Sequence, residues 1–250
     1  MKKIIYPLVI CCIFLAGCFE TTQEITINKD GSGLFSNTTD LSNMVGMLKQ
    51  MGGADVEKIQ NADTTISLSG IADSIADLTP QQRKLIKQGS LKLILNMTDE
   101  KLVTKLSVPF QKVGDIQILK EVLPKVSEAA LKKLPGGEQM PAGLGNEDHS
   151  KIKTFDNFFD ATITQNVMSK TLNKTKYATV PDDEYMKSLQ QMSGMGSPIT
   201  VNYVINLPRP AKKVEGKAVK LSDDKKRLTL TATSDDFFND PSKFEYRIEY

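Results

Sequence analysis

Four groups of residues carry the types that chemistry needs. The first is "EITINKDGSG", residues 24–33, where a small acidic loop suggests calcium. With Asp30 and Gly31 set at positions 5 and 6 of an EF-hand loop, Thr26 and Asn37 fall at positions 1 and 12, where carboxylates are required. The calcium reading fails there, and Asp30-Gly31 between Ile25-Thr26-Ile27 and Leu34-Phe35 reads as a hairpin turn. The second is His149 beside Glu147 and Asp148; it is the sole histidine, so it has no partner of its own kind for a catalytic zinc. The third is methionine: Met44, Met47 and Met51, with Met186, Met192 and Met195, offer thioethers to copper(I). Polar co-ligands are missing, and the helical spacing of Met44, Met47, Leu48 and Met51 reads as core packing or as the lining of an apolar groove. The fourth is the paired carboxylates Asp182-Asp183 and Asp235-Asp236, which read as a helix start and a turn. Neither a Gly-x-Ser-x-Gly elbow nor a phosphate-binding glycine loop is present, so no cofactor or nucleotide is expected.

The cysteines lead elsewhere. Lys2 and Lys3 precede an apolar run from Ile4 to Ala16, which closes on Leu15-Ala16-Gly17-Cys18. The run is too short for about 30 Å of hydrocarbon at roughly 1.5 Å per residue, so it reads as a secretory signal. Its ending resembles the lipobox of bacterial lipoproteins, which implies cleavage between Gly17 and Cys18 and acylation of the Cys18 sulfur. Cys11 and Cys12 would leave with the signal, so no thiol remains for a disulfide or for catalysis. Removing Lys2 and Lys3 lowers the basic count from 32 to 30, equal to the 30 acidic residues. That balance gives no field for nucleic acid.

Alternating apolar residues predict strands at Leu91 to Met97, Leu102 to Phe110, Ile199 to Leu207, Leu228 to Ala232 and Phe244 to Tyr250. Helical spacing predicts helices over Leu41 to Met51, Thr79 to Gln88, Asp115 to Leu134, with a kink or break at Pro124, and Asp182 to Met192. Residues 135–150, rich in glycine and proline, read as an exposed excursion. The expected organisation is a signal at 1–17, a lipidated tether at 18–22, and one α+β domain at 23–250. Its antiparallel sheet carries several helices on one face.

Beyond the lipobox, "EITINKDGSG", "LNKTKY" and "INLPRPAKKVEGKAVKLSDDKKRLTL" resemble an uncharacterised group of Bacteroidetes-type lipoproteins. The strand-proline-strand ending is distantly similar to mycobacterial LppM-type lipoprotein domains. Those resemblances imply a non-catalytic envelope module that binds a protein, or a carrier or sensor whose groove takes a lipid or other apolar ligand. Phe19, where an aspartate would signal inner-membrane retention, implies the outer membrane.

Overall fold

The computed structural model describes residues 19–43, 45–46, 61–133, 154–194 and 198–250. The strands form where alternation places one face inward. In β4 (Ser90–Asn96), Leu91, Leu93 and Leu95 are buried; in β5 (Lys101–Phe110), Leu102, Leu106, Val108 and Phe110 are buried. These two pair antiparallel with Ser90 opposite Ser107. The acidic loop near the N-terminus joins β1 (Phe19–Ile27) to β2 (Gly33–Asp40) as the expected hairpin. Gly31 sits at φ +85°, and the Asp30 carboxylate accepts from the Ser32 backbone N–H at 3.0 Å and its hydroxyl at 2.7 Å. A turn thus uses the groups a calcium loop would present.

The remaining strands are β3 (Ala62–Ser67), β6 (Phe159–Ile163), β7 (Val167–Leu172), β8 (Ile199–Asn206), β9 (Lys213–Glu215), β10 (Val219–Leu221), β11 (Arg227–Thr233) and β12 (Tyr246–Glu249). They build an eight-stranded sheet in the order β10-β11-β8-β1-β2-β5-β4-β3 and a four-stranded sheet in the order β6-β7-β12-β9. The class is α+β, with two features beyond the strand alternation: a second sheet, and a parallel pairing of β1 with β8 inside an otherwise antiparallel one. In that pairing Phe19 lies opposite Ile199 and Thr26 opposite Asn206.

The helices are α1 (Ser69–Ser74), α2 (Pro80–Ile86), α3 (Asp115–Lys132), α4 (Lys174–Tyr177), α5 (Glu184–Gly194) and α6 (Ser234–Asn239). Helix α2 starts as Pro80 predicts, with Thr79 and Gln82 exchanging hydrogen bonds in a capping box. Of the kink or break expected at Pro124, the break does not occur: helix α3 runs on through it. Proline lacks the N–H that would reach the Lys120 carbonyl, a loss of about 3 kcal/mol. Leu119, Val122, Leu123 and Val126 bury the apolar face on both sides of it, and packing of that face outweighs the defect. Helix α3 touches both β5 and β6, so it bridges the two sheets.

Two further expectations change. Residues 19–22, read as a tether, are the opening of β1, paired with Thr38, Thr39 and Asp40 on one side and with residues 199–202 on the other. Their threonines and glutamate hid the strand because only one face of it is apolar, and that face is filled further along by Ile25 and Ile27. Asp235 and Asp236 are not in a turn but in the first turn of α6, where Asp236 completes a capping box with Thr233. The excursion 135–150 lies outside the described residues.

Candidate functional site

The residues expected to carry function separate in space or fall outside the described chain. Gly17, Cys18, Met44, Met47, Leu48, Met51, His149 and Met195 belong to the latter. Met186 is fully buried in the core, whereas Met192, on the same helix, is 37% exposed. Asp183 caps α5, accepting from the Met186 backbone N–H at 3.0 Å. Among the described residues no cluster of histidine, cysteine, aspartate and glutamate has the makings of a metal site, and no helix is long and apolar enough to cross a membrane.

A different constellation, unmarked by any motif, sits where the sheets meet. Strand β7 carries Met168 and Lys170 on its inward face, two residues apart, so alternation drives a lysine into the core. Lys170 is 1% exposed. Its Nζ lies 2.5 Å from Asp156 Oδ1 and 3.8, 4.7 and 5.3 Å from the ring centroids of Tyr203, Phe159 and Phe244. Asp156 is held in a one-turn 3-10 helix, Phe155–Phe158, which Thr154 and Asn157 cap through mutual hydrogen bonds. Lys120 of α3 approaches the other carboxylate oxygen at 2.8 Å, and the Tyr203 hydroxyl of β8 donates to Oδ1 at 2.5 Å.

One carboxylate therefore serves two ammonium groups and a phenol drawn from three other elements. Burial pushes the Asp156 carboxyl upward, but Lys120 and Lys170 override it and hold it well below the usual carboxylate range. Burial lowers Lys170 to about 8, against the attraction of Asp156 and with the repulsion of Lys120. Lys120 moves the other way: burial opposes its charge, yet Asp156 more than compensates and the amine ends above its ordinary value. The two lysines differ in their neighbours: Tyr246 also favours the charge on Lys120, whereas the charge of Lys120 disfavours that on Lys170. Burial also raises the Tyr203 phenol, and Asp156 adds to the effect.

An amine lowered in this way is what nucleophilic or general-base lysines require. Here, however, the carboxylate and three rings cover it. The arrangement acts as a charged joint: Lys170 fixes the four-stranded sheet, Tyr203 the eight-stranded sheet, and Lys120 the bridging helix, all against one anion. Around it, Phe155, Phe159 and Phe244 pack with Phe237, at centroid separations of 4.6 to 6.4 Å from that last ring. The sequence signal for the joint is the lysine in "VMSKTL", which breaks an apolar alternation, together with the aromatic runs "FDNFF" and "DDFF".

No family model and no curated protein matches the chain. Among solved structures it is similar to the NMR structure of the folded domain of the LppM protein from Mycobacterium tuberculosis. The match has 8% identity and a TM-score of 0.38, and covers 96% of this chain and 94% of that one. At that level no residue and no role passes from that protein to this chain.

Proposed function

We propose that this chain is a cell-envelope lipoprotein, anchored in the outer membrane by acyl chains on Cys18, whose α+β domain works by binding a partner rather than by catalysis. The supporting observation is the lipobox itself: Lys2 and Lys3, the apolar run from Ile4 and the ending Leu15-Ala16-Gly17-Cys18, which places cleavage between Gly17 and Cys18. Among the described residues the first strand is β1, from Phe19. Cleavage there removes no residue of any described strand or helix and leaves the acylated residue next to the domain. Each buried methylene contributes about 0.8 kcal/mol, so two or three acyl chains give durable attachment where one gives only marginal binding. The non-catalytic part of the reading is supported by the buried joint, whose one strongly lowered amine is already engaged by Asp156 and aromatic rings.

The test is labelling with radioactive palmitate, comparing the natural chain with Cys18→Ser. The natural chain should take up label and fractionate with outer membranes. The variant should take up none and retain its signal. Equal labelling of the two would overturn the anchor. Native mass spectrometry of protein purified from its own envelope then reads the bound partner, either a subunit or an apolar molecule retained by the domain.

A further inference from the structure

The anchor reading has a geometric consequence, because no slack separates Cys18 from the fold. Phe19 is already in register with Ile199, and Glu20 with Asp40 and Thr200, so β1 is an interior strand held on both sides from its first residues. A lipid on Cys18 is thus one peptide bond from the middle of an eight-stranded sheet.

That end of the sheet can be traced outward through contacts. Opposite Phe19, the Ile199 backbone N–H donates to Ser234 Oγ at 3.0 Å. Ser234 Oγ lies 2.8 Å from Ser193 Oγ, which also bonds the Asp235 carboxylate. Ser193 directly follows Met192, and Met192 and Leu34 are the large apolar side chains that stand exposed among the described residues. Leu34 lies at the opposite end of β1, in register with Thr26. The exposed methionine therefore lies on the end of the domain that carries the anchor.

We propose that the domain is seated on the bilayer by this end, with Phe19, Ile199 and Met192 toward the lipid in which Cys18 is inserted. The inference rests on the lipoprotein reading above. The eight steps from Phe19 to Ile27 span roughly 26 Å at about 3.3 Å per residue. The loop Asn28–Ser32 and the turn at residues 222–226 are thereby held away from the membrane as the surface open to a partner. Glu20, Asp40 and Asp99 stand at the seated end, so the covalent anchor rather than attraction to anionic lipid holds it there. The seating is accordingly insensitive to added salt.

The chain contains no tryptophan, so a single introduced one reports its own position. Purified, lipidated Met192→Trp and Lys29→Trp are reconstituted in vesicles whose acyl chains are brominated near the headgroup. Both proteins should float with the vesicles. The Met192→Trp emission should be quenched several-fold more than that of Lys29→Trp, at low and at high salt. Six glycine and serine residues inserted after Cys18 add a reach of about 13 Å and should relieve the quenching without changing flotation. Loss of flotation in the uninserted proteins would overturn the anchor itself. Flotation with equal quenching at the two sites, with no quenching at Met192→Trp, or with quenching untouched by the insertion would overturn the seating alone.

Discussion

The Lys170 ammonium stands 3.8 Å over the Tyr203 ring, and both side chains bond the same oxygen of Asp156, so a strand of the small sheet and a strand of the large one are closed on one anion. Removing the anion leaves two buried ammonium groups unopposed. Asp156→Asn should therefore cost about 3 to 5 kcal/mol, the range for breaking a buried pair from one side. Lys170→Met leaves Asp156 with Lys120 and Tyr203 and forfeits mainly the contact with the rings, no more than about 2 kcal/mol. Urea unfolding of the three proteins measures the order. A greater loss in Lys170→Met than in Asp156→Asn would mean that the rings, not the charges, hold the joint.

The joint also predicts a pH dependence. Lys170 is lowered to about 8 by burial, so from there up to its ordinary value of 10.5 the unfolded chain binds the proton that the folded chain has released. Stability rises with pH wherever the unfolded state binds more protons. Between pH 8 and about 10, before the unfolded phenol of Tyr203 titrates near 10.0, the natural protein should gain stability relative to Lys170→Met. At the acid end the sign is set by Asp156, whose carboxyl is depressed in the fold: its contribution is complete above the ordinary value of 3.8 and is lost as pH falls below it. Asp156→Asn should flatten that acid limb. Urea midpoints across both windows provide the measurement.

Local pattern made the hairpins and helix starts readable. Alternation at Leu91, Leu93 and Leu95 defined β4, and Pro80 marked the start of α2, because each depends on neighbours a few residues away. What stayed hidden is non-local. Asn206 donates to Glu24 Oε1 and Thr26 Oγ1 across 182 and 180 residues, and nothing in either stretch announces a parallel partner. The joint was hidden for a related reason: Lys120, Asp156, Lys170 and Tyr203 come from four separate elements, and three of them carry charges of the kind that usually mark a solvated face. Met44, Met47, Leu48 and Met51, offered as the lining of an apolar groove, lie outside the described residues.

Gln23 lies beside this joint, opposite Tyr203 in the parallel register and on the inward face with Ile25. Its Oε1 is buried with no hydrogen-bond donor among the described residues. An unsatisfied buried oxygen costs about 1 to 3 kcal/mol. Gln23→Met keeps the shape and removes the polar atom, so the melting temperature should stay level or rise. A clear fall would show that the amide holds a bridging group in the joint.

Gly33 opens β2 where the hairpin leaves its turn. A Cβ there would stand 1.9 Å from the Thr26 carbonyl oxygen and 2.4 Å from the Phe110 ring, neither of which has room to give way. Gly33→Ala should therefore cost at least the roughly 1 to 3 kcal/mol of an overpacked site. A Cβ at Gly31 would meet only ordinary contacts, Val113 Cγ2 at 3.8 Å and Gln165 Nε2 at 3.9 Å, and the positive φ alone opposes it, so Gly31→Ala should cost less, about 1 kcal/mol. Thermal melts of the two variants check the order.

The start of the fold can be tested by where the chain is cut. Were residues 18–22 a tether, a soluble protein beginning at Gln23 would be as stable as one beginning at Phe19. Instead, the cut removes Phe19–Thr22, all four of which pair with β8 and three of which, Glu20 to Thr22, also pair with β2. It also strips Glu20, which accepts a hydrogen bond from Asn202 at 2.7 Å. Each lost intramolecular hydrogen bond contributes about 1 kcal/mol net, and the cut exposes the facing edges of two interior strands to pairing with other chains. The protein beginning at Gln23 should therefore unfold at lower urea and associate at concentrations where the one beginning at Phe19 stays monomeric. Equal urea midpoints and equal sedimentation for the two would show that the first four residues of β1 contribute nothing to the domain, and that a tether describes them after all.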